Sequence, residues 1–298
     1  MVILLKKTIQ YIKMGISFHE YKFLEHISNL NKFGSVLTLG KQEIILDSFD
    51  KTRLNLTNNS YINDQYIDQL LINNFNAKSV KSIDNSKFEG ADIIMDMNKP
   101  IENINEKFDT IIDFGTSEHI FNVTQNLKNI SQLCKIGGTI LHSLPANNNC
   151  GHGFWQFSPE LFFSLYSEAN GFSETEIFVF NTHNKYEWWK VNKQEVGERL
   201  ELSSDVPLYI AVKTSKKLDK DSIIVQQSDY DERWNDKIDL NKNNKNNISI
   251  MWKKIKDNLK KFFFNFFLPN IFSDKMKGLR SVAKNNFEKN KNLTNIKF

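Results

Sequence analysis

The feature that most constrains the fold of this chain is a series of short apolar runs, most of which end at a glycine, an acid or a proline. Between the runs lie segments in which apolar residues recur at helical spacing. Continuous apolar runs are typical of strands that are buried on both faces of a parallel sheet, and strands that alternate with helices are typical of βαβ units. The sequence therefore predicts an α/β fold, Rossmann-like, with a mainly parallel seven-stranded sheet and helices on both faces.

Seven strands are predicted along the central part of the chain. They cover residues 35–40, 77–84, 91–96, 107–115, 138–145, 174–183 and 206–216. A helix is predicted over residues 3–31, ahead of the first strand. Another is predicted over 122–136, ended by Gly137, because helices commonly stop at a left-handed glycine. A third begins at Pro159, which suits the first position of a helix.

Composition divides the chain into four parts. These are an N-terminal helical segment (1–34), a Rossmann-like domain (35–215), a low-complexity linker (216–248) and a basic amphipathic helical tail (249–298). The tail carries twelve Lys and Arg against three Asp and Glu, a net charge of +9 in a chain of net charge +4, so the preceding residues carry −5. This acidic body argues against a nucleic-acid partner.

The tail predicts a helix with an aromatic face over residues 249–269, with lysines between and opposite the aromatic residues. Three roles are open for such a segment. It binds the surface of an anionic membrane as a peripheral helix, it packs on the body of the chain or on a second subunit of a homodimer, or it stays disordered. The apolar run before Lys6 is too short for a signal peptide or a spanning helix. Two cysteines without a C-x-x-C pair are typical of a reducing compartment. The expected location is cytoplasmic, with peripheral contact at the inner membrane surface left open.

Candidate cofactor-binding residues lie at or just after the carboxyl ends of four predicted strands. They are Gly40, Gln42, Asp84, Asp96, Met97, Asp113 and Gly115. Ligands of open parallel sheets bind outside these ends, at the point where the strand order reverses, so the residues are expected to converge on one crevice. Asp84 suits ribose hydroxyls, and Asp96 suits an adenine amino group. Because a ring of carboxylates repels polyanions, the predicted ligand is a nucleoside with a cationic group.

The stretch "NNNCGHGFWQFSPELFF", residues 147–163, predicts a loop on the acceptor side of the crevice. Asn147 and Asn148 offer amides to the hydroxyls of an acceptor, or they serve as turn residues. Trp155 offers a ring for stacking on a sugar, or it is buried between sheet and helix. The loop is therefore the predicted substrate-binding element.

His119 and His152 are the candidate catalytic bases, with Glu118 beside His119, because imidazole titrates near neutral pH. A structural role for each histidine is the alternative. Asp113, Glu118, His119 and His152 also make a candidate metal cluster, but no short ligand spacing supports it. No metal is therefore expected.

The order of these motifs resembles the class I S-adenosylmethionine-dependent methyltransferases. The motifs are a strand followed by Gly40, a strand ending at Asp84, "DIIMDMNKP", "FDTIIDFGTSEHIFN" and "LCKIGGTILHSLP". More closely, they resemble methyltransferase-like proteins often found among bacterial surface-polysaccharide genes. The resemblance covers roughly residues 30–215. It departs from the family at "LTLGKQEI", where Gln42 stands in place of a further glycine, so the glycine-rich motif is degenerate.

The resemblance implies S-adenosylmethionine as cofactor and a methyltransferase that acts on a sugar or sugar-linked intermediate of surface glycan synthesis. One alternative is a non-catalytic methyltransferase-like protein that binds a nucleoside or a partner enzyme through the same crevice. Another is a different group transfer that uses His152 as base. Glycosyl transfer is disfavoured, because the sequence has no Asp-x-Asp clamp for a nucleotide sugar.

Overall fold

The structure is a computed structural model of the 298-residue chain. It describes residues 15–59, 62, 64–194, 200, 202–220, 222–227, 287 and 290–296. Two compact units are present, one of Met1–Lys193, Val206–Val225 and Lys291–Phe298, the other of Gln194–Asp205 and Gln226–Asn290. All helices and strands named below belong to the first unit. The tail helix predicted over 249–269, residues 1–14 and most of the 216–248 linker lie outside the described residues.

A nine-stranded sheet forms the centre of the first unit. The described residues contain eleven strands, nine of them in this sheet: β1 (Gly15–Ile16), β2 (Gly34–Leu39), β3 (Glu43–Ile44), β4 (Ala77–Asp84), β5 (Ile93–Ile94), β6 (Phe108–Phe114), β7 (Cys134–Asn147), β8 (Phe172–Asn181), β9 (Trp188–Val191), β10 (Leu208–Lys216) and β11 (Leu293–Ile296). Their order in space is β11-β9-β8-β10-β7-β6-β2-β4-β5. β1 and β3 form a separate parallel pair.

The strand order reverses between β2 and β6. From β2 the chain passes outward through β4 to β5, and β6 then returns to the other side of β2, followed by β7. All neighbours in this half are parallel, with Val36 opposite Thr110 at the reversal. A ligand crevice is therefore expected at the carboxyl ends of β2 and β6.

The other half of the sheet is antiparallel, which corrects the predicted mainly parallel seven-stranded sheet. β10 runs antiparallel between β7 and β8, and β9 and β11 extend the edge beyond β8. β9 is only four residues long, too short to stand out as an apolar run. Residues 293–296 were expected in a helical tail, but they pair with β9 as β11.

The five helices of the described residues are α1 (Phe18–Ser28), α2 (Ser48–Arg53), α3 (Asp68–Phe75), α4 (Val123–Leu133) and α5 (Pro159–Leu165). Side chains of α1 and α3 pack with Ile112 and Phe114 in one buried cluster. Ile111 and Ile140, at alternate positions of β6 and β7, are also fully buried, so both faces of the sheet are covered. None of the described helices has the length and apolar character needed to cross a membrane.

The junction between α4 and β7 differs from the prediction. The helix ends at Leu133, and Cys134 already pairs with Phe108, so Gly137 lies inside β7 instead of ending a helix. The pairing register of β6 and β7 shifts in this region. Cys134 lies opposite Phe108 and Thr139 lies opposite Thr110, so β7 advances by five residues while β6 advances by two. Gly137 has a φ of +83°. Gly137 therefore lies in an irregular first part of β7. In the sequence, a glycine at such a position looks the same as a glycine that caps a helix.

Candidate functional site

Hydrogen bonds hold four strand ends side by side at the crevice. The Gly40 amide donates to the Ile83 carbonyl at 2.8 Å, which joins β2 to β4. The Thr116 hydroxyl donates to the last carbonyl of β2 at 2.8 Å, and the Gly115 amide donates to the Ser143 carbonyl at 3.0 Å. The carboxyl ends of β4, β2, β6 and β7 thus meet in one place.

The turn after β2 combines a left-handed glycine with a buried glutamine side chain. Gly40 has a φ of +69°, and a Cβ there would lie 3.3 Å from the Thr116 hydroxyl and 3.9 Å from the nearer Asp84 carboxylate oxygen. Gln42 is buried and its side-chain amide donates to the Leu39 carbonyl at 2.6 Å. Its side-chain oxygen is buried without a hydrogen-bond partner. Gln42 therefore braces the turn, and Gly40 lies buried between Thr116, Gln42 and Asp84.

Asp84 ends β4 with a half-buried carboxylate. Its Oδ1 accepts a hydrogen bond from the Ser86 amide at 3.2 Å, and its Oδ2 is the oxygen nearer to Gly40. Burial and the negative charge of Asp84 raise the pKa of Glu89. Asp84 thus offers an acceptor oxygen next to the strand-order reversal.

Asp96 and Met97 lie beyond the end of β5. The Asp96 carboxylate accepts from the Asn98 side-chain amide at 2.8 Å and from the Asn98 backbone at 3.0 Å, and these bonds lower the pKa of Asp96. Met97 is buried, and its carbonyl accepts from the Asn129 side chain at 3.2 Å. The loop after β5 is therefore held by its own acid and by α4.

Asp113 does not face the crevice, which corrects its prediction as a cofactor ligand. Its carboxylate is fully buried and binds His142 Nδ1 at 2.7 Å and the Ser117 hydroxyl. His142 Nε2 lies 2.7 Å from the Tyr166 hydroxyl, and burial raises the pKa of Tyr166. Ile112 and Phe114, on either side of Asp113 in β6, belong to the buried cluster that contains α1. Because side chains alternate between the two faces of a strand, Asp113 points to the opposite face of the sheet.

The loop that follows β7 folds back onto the short 3-10 turn Ser117–His119. The backbone amides of Phe154 and Trp155 donate to the Glu118 carbonyl at 2.7 and 3.3 Å. Gly153 has a φ of +75°, and a Cβ there would lie 2.8 Å from that carbonyl oxygen. This close approach requires glycine and brings His152 to Glu118.

The three predicted catalytic residues lie together. Glu118 is fully buried, and its Oε1 lies 3.2 Å from His152 Nε2. The rings of His119 and His152 are 5.0 Å apart, nearly perpendicular. One atom each from Glu118, His119 and His152 lies within 4.8 Å of the other two, and the second Glu118 oxygen is buried without a partner. The sequence had counted Asp113 in such a group, but the structure places Asp113 in the His142 network.

A cavity of about 270 Å³ lies beside this group. Among the residues that line it are Ser17, Glu20, Gly115, Ser143, His152 and Tyr209. The Ser143 hydroxyl donates to Glu20 at 2.8 Å, which joins α1 to β7. Burial, with the negative charges of Glu118 and Glu20, raises the pKa of Tyr209.

Sequence reasoning missed the cavity residues Glu20, Ser143 and Tyr209. Ser143 interrupts the apolar run "TILHSLP", and Glu20 follows the helix-start residue Ser17. These signals were present but ambiguous, since a polar residue in a strand is often satisfied internally. The pairing of β7 with β10 and the packing of α1 on the sheet bring the three side chains around one space.

The predicted substrate-binding residues lie at the end of β7 and in the loop that follows it. Asn147 ends β7, and its side-chain oxygen is buried without a hydrogen-bond partner. Asn148 is left-handed, with a φ of +57°, and its amide donates to the Val206 carbonyl at 3.1 Å. Trp155 is 38% exposed and its ring N–H donates to the Ile120 carbonyl at 3.0 Å. The Asn148 amide is thus used in a contact with the segment before β10, while Trp155 leaves part of its ring exposed.

Exposed aromatic residues surround Trp155. Phe121 and Phe154 are 73% and 67% exposed, with rings 5.9 Å apart and edge to face. Exposed aromatic rings suit the apolar face of a ligand. These two phenylalanines extend the predicted substrate-binding loop.

Comparison with known proteins gives structural likeness only. No protein-family model matches the chain, and no curated protein matches it. TehB from Haemophilus influenzae is 16% identical over 66% of this chain and 62% of its own, with a TM-score of 0.36. The N-methyltransferase NodS from Bradyrhizobium japonicum is 13% identical over 66% of this chain and 94% of its own, with a TM-score of 0.35.

A third similar structure is a 1,6-didemethyltoxoflavin-N1-methyltransferase from Burkholderia thailandensis, with 1,6-didemethyltoxoflavin and S-adenosylhomocysteine bound. It is 13% identical over 66% of this chain and 78% of its own, with a TM-score of 0.37. The position of the crevice in the present chain follows from its own strand order and hydrogen bonds.

Proposed function

We propose that this chain is an S-adenosylmethionine-dependent methyltransferase whose acceptor is a sugar or a sugar-linked precursor of a surface glycan. The single observation that carries the proposal is the reversal of strand order between β2 and β6, with Gly40 and Asp84 side by side at that point. A doubly wound sheet binds its nucleotide-like ligand there, and an acid after the second strand accepts hydrogen bonds from ribose.

The charges at the crevice favour a cationic nucleoside over a polyphosphate. Asp84 and Glu89 lie close enough for the charge of Asp84 to raise the pKa of Glu89. Neighbouring carboxylates attract a sulfonium or ammonium group and repel phosphate. S-adenosylmethionine combines a ribose, an adenine and a sulfonium, which is the combination that these groups suit.

The cavity beside His152 supplies the acceptor side. It is bordered by Gly115, which follows β6, and by the hydroxyls of Ser143 and Tyr209. The partly exposed Trp155 ring, three residues after the cavity residue His152, and the exposed pair Phe121 and Phe154 suit the apolar face of a sugar ring. We infer that the acceptor occupies this cavity and that its reactive hydroxyl points toward the crevice.

His152 is the proposed proton acceptor for a hydroxyl substrate. Its Nε2 binds the buried Glu118 carboxylate at 3.2 Å, which orients the ring. An oriented histidine that borders a substrate cavity is a suitable general base, and such a base typically contributes about 10²- to 10⁴-fold to the rate. Glu118 is then a positioning residue.

Calorimetric titration with S-adenosylhomocysteine tests the cofactor assignment. The full-length wild type is expected to bind, and Asp84→Ala is expected to bind at least about 10-fold more weakly, because about 1.4 kcal/mol of charge-assisted hydrogen bonding is lost. Asp96→Ala is expected to weaken binding as well.

Glu106→Ala is the matched control. Glu106 precedes β6 at the opposite edge of the sheet and makes an exposed ion pair with Lys81. Its replacement should leave the affinity unchanged. A folded Asp84→Ala variant that binds as tightly as wild type would exclude the ribose role of Asp84, and a folded wild type that does not bind would exclude the cofactor.

One observation favours a second candidate, a nucleoside-binding protein without methyltransferase activity. The side chain of Gln42 fills the turn after β2 and bonds to the Leu39 carbonyl, and the family that the sequence resembles has further glycine there. A filled turn leaves less room for the methionine end of the cofactor. If adenosine and S-adenosylhomocysteine bind equally well, the second candidate is preferred.

A further inference from the structure

We propose that Glu118, His119 and His152 bind a divalent transition-metal ion, of which Zn²⁺ is the first candidate. One ligand atom from each residue lies within 4.8 Å of the other two. Neutral imidazole and carboxylate are ordinary ligands of such ions, and a set of two histidines and one glutamate is a known zinc donor set. The proposal concerns ion binding and does not depend on methyl transfer.

The geometry needs only a small closure around an ion. Ligand atoms about 2.1 Å from a tetrahedral ion lie about 3.4 Å from one another. Glu118 Oε1 and His152 Nε2 are already 3.2 Å apart. His119 is exposed, so its ring is free to rotate toward the other two atoms without displacing the core.

An unbalanced buried carboxylate is the second, independent observation. Glu118 is fully buried, and one of its oxygens has no hydrogen-bond partner. A buried carboxylate is costly unless charges or donors compensate it. A single histidine contact engages only Oε1. A divalent ion bound here would compensate the charge of Glu118.

The backbone around the three residues is firmly built. The 3-10 turn Ser117–His119 presents Glu118 and His119 in succession, and Asn126 donates to the Ser117 hydroxyl below it. On the other side the amides of Phe154 and Trp155 hold the His152 loop to the Glu118 carbonyl. Such support keeps ligands near one another before the ion binds, which reduces the ordering cost of binding.

Three protein ligands leave one position of a tetrahedral ion open. His152 also lines the cavity that Ser143 and Tyr209 border, so that position is reachable from the cavity. A ligand hydroxyl or carboxylate fits such a position, since both carry hard oxygen donors. With an ion bound, the His152 lone pair would be used in coordination, and the ion would polarise the oxygen of the bound ligand as a Lewis acid.

The test is binding of Zn²⁺ to the full-length protein without an affinity tag, after treatment with a chelator. Equilibrium dialysis with metal analysis gives the number of ions per chain, and calorimetry gives the affinity, both without cofactor. We expect one ion per chain. His119→Ala and His152→Ala are each expected to weaken binding at least about 10-fold, as loss of a ligand should cost no less than loss of a residue that supports one.

Cys150→Ser and His183→Ala are the controls. Cys150 is an exposed thiol two residues from His152, and His183 is an exposed histidine after β8. Both variants should bind as wild type does. His119→Ala changes an exposed side chain, so this variant is expected to fold.

The proposal is overturned if the folded wild type binds no zinc, if either histidine variant binds as tightly as wild type, or if Cys150→Ser removes the ion. Zinc binding with no affinity for S-adenosylhomocysteine would support the metal site and reject the methyltransferase. The reverse result would reject the metal site alone.

Discussion

Gly153 shows how one backbone position shapes the site. Its φ of +75° and the 2.8 Å separation between a built Cβ and the Glu118 carbonyl oxygen leave no room for a side chain. Gly151, two residues earlier, has nothing within 4 Å of a built Cβ. The glycines of "CGHGF" are therefore not equivalent, although the sequence alone gives them the same weight.

Gly153→Ala is expected to lower the free energy of unfolding by about 1 to 2 kcal/mol, because a left-handed residue with a Cβ is strained. The clash with the Glu118 carbonyl adds to that strain. Gly151→Ala should change the free energy by less than about 0.5 kcal/mol, as at other exposed positions. Urea denaturation measures both. Equal effects of the two substitutions would show that the close contact at Gly153 is absent.

At the scale of single elements, α1 is tied to both its own start and the sheet. Ser17 and Glu20 form a capping box, in which Glu20 Oε2 accepts from the Ser17 amide at 3.0 Å. Glu20 Oε1 accepts from the Ser143 hydroxyl at 2.8 Å. One carboxylate therefore caps the helix and positions it beside the cavity, a connection that helix spacing cannot reveal.

Ser17→Ala is expected to lower the free energy of unfolding by about 1 kcal/mol, the usual cost of removing a side-chain cap. Ser48→Ala is the control, because Ser48 is the exposed first residue of α2 and the cap of that helix is Asp47. Thermal and urea unfolding measure both variants. If Ser17→Ala proves as mild as Ser48→Ala, the capping box does not stabilise α1.

At the scale of the whole molecule, the sheet depends on ionised carboxylates that join its strands. Asp109, in β6, accepts from the Ser35 amide and hydroxyl, both at 2.8 Å, and from the Lys135 ammonium at 3.0 Å. Partial burial acts to raise the pKa of Asp109, but these bonds outweigh it and the net pKa is lowered. Asp109 thereby links β2, β6 and β7.

Stability is expected to fall in acid. A carboxyl whose pKa is lower in the folded state stabilises the fold above its unfolded pKa, about 3.9 for Asp. That contribution is lost as the pH falls below about 4 and through the folded pKa. Asp109→Asn should therefore destabilise the chain at pH 6 and have a smaller effect at pH 3.

Urea denaturation at several pH values measures this, with the exposed Glu102→Gln as control. A destabilisation by Asp109→Asn that is the same at pH 6 and pH 3 would exclude the carboxylate link. An Asp109→Asn variant as stable as wild type at both pH values would also exclude the carboxylate link.

Much of the site was accessible from sequence, because strand ends carry a local signal. The stretches that end near Gly40, at Asp84 and near Gly115 do form β2, β4 and β6, and the helix that begins at Pro159 is present. Glu118, His119 and His152 were chosen for their chemistry, and the structure brings them together. The assignment of these residues to a cofactor or to catalysis stays a prediction.

The sequence by itself determined where the central strands and helices form, since apolar runs, caps and glycines act on neighbouring residues. Tertiary structure alone decided the antiparallel half of the sheet, the pairing of β11 with β9, the inward direction of Asp113 and the meeting of Glu20 with Ser143. The physical reason is that these depend on pairing and burial between distant segments. Side-chain spacing along one segment does not record which partner or which face the fold selects.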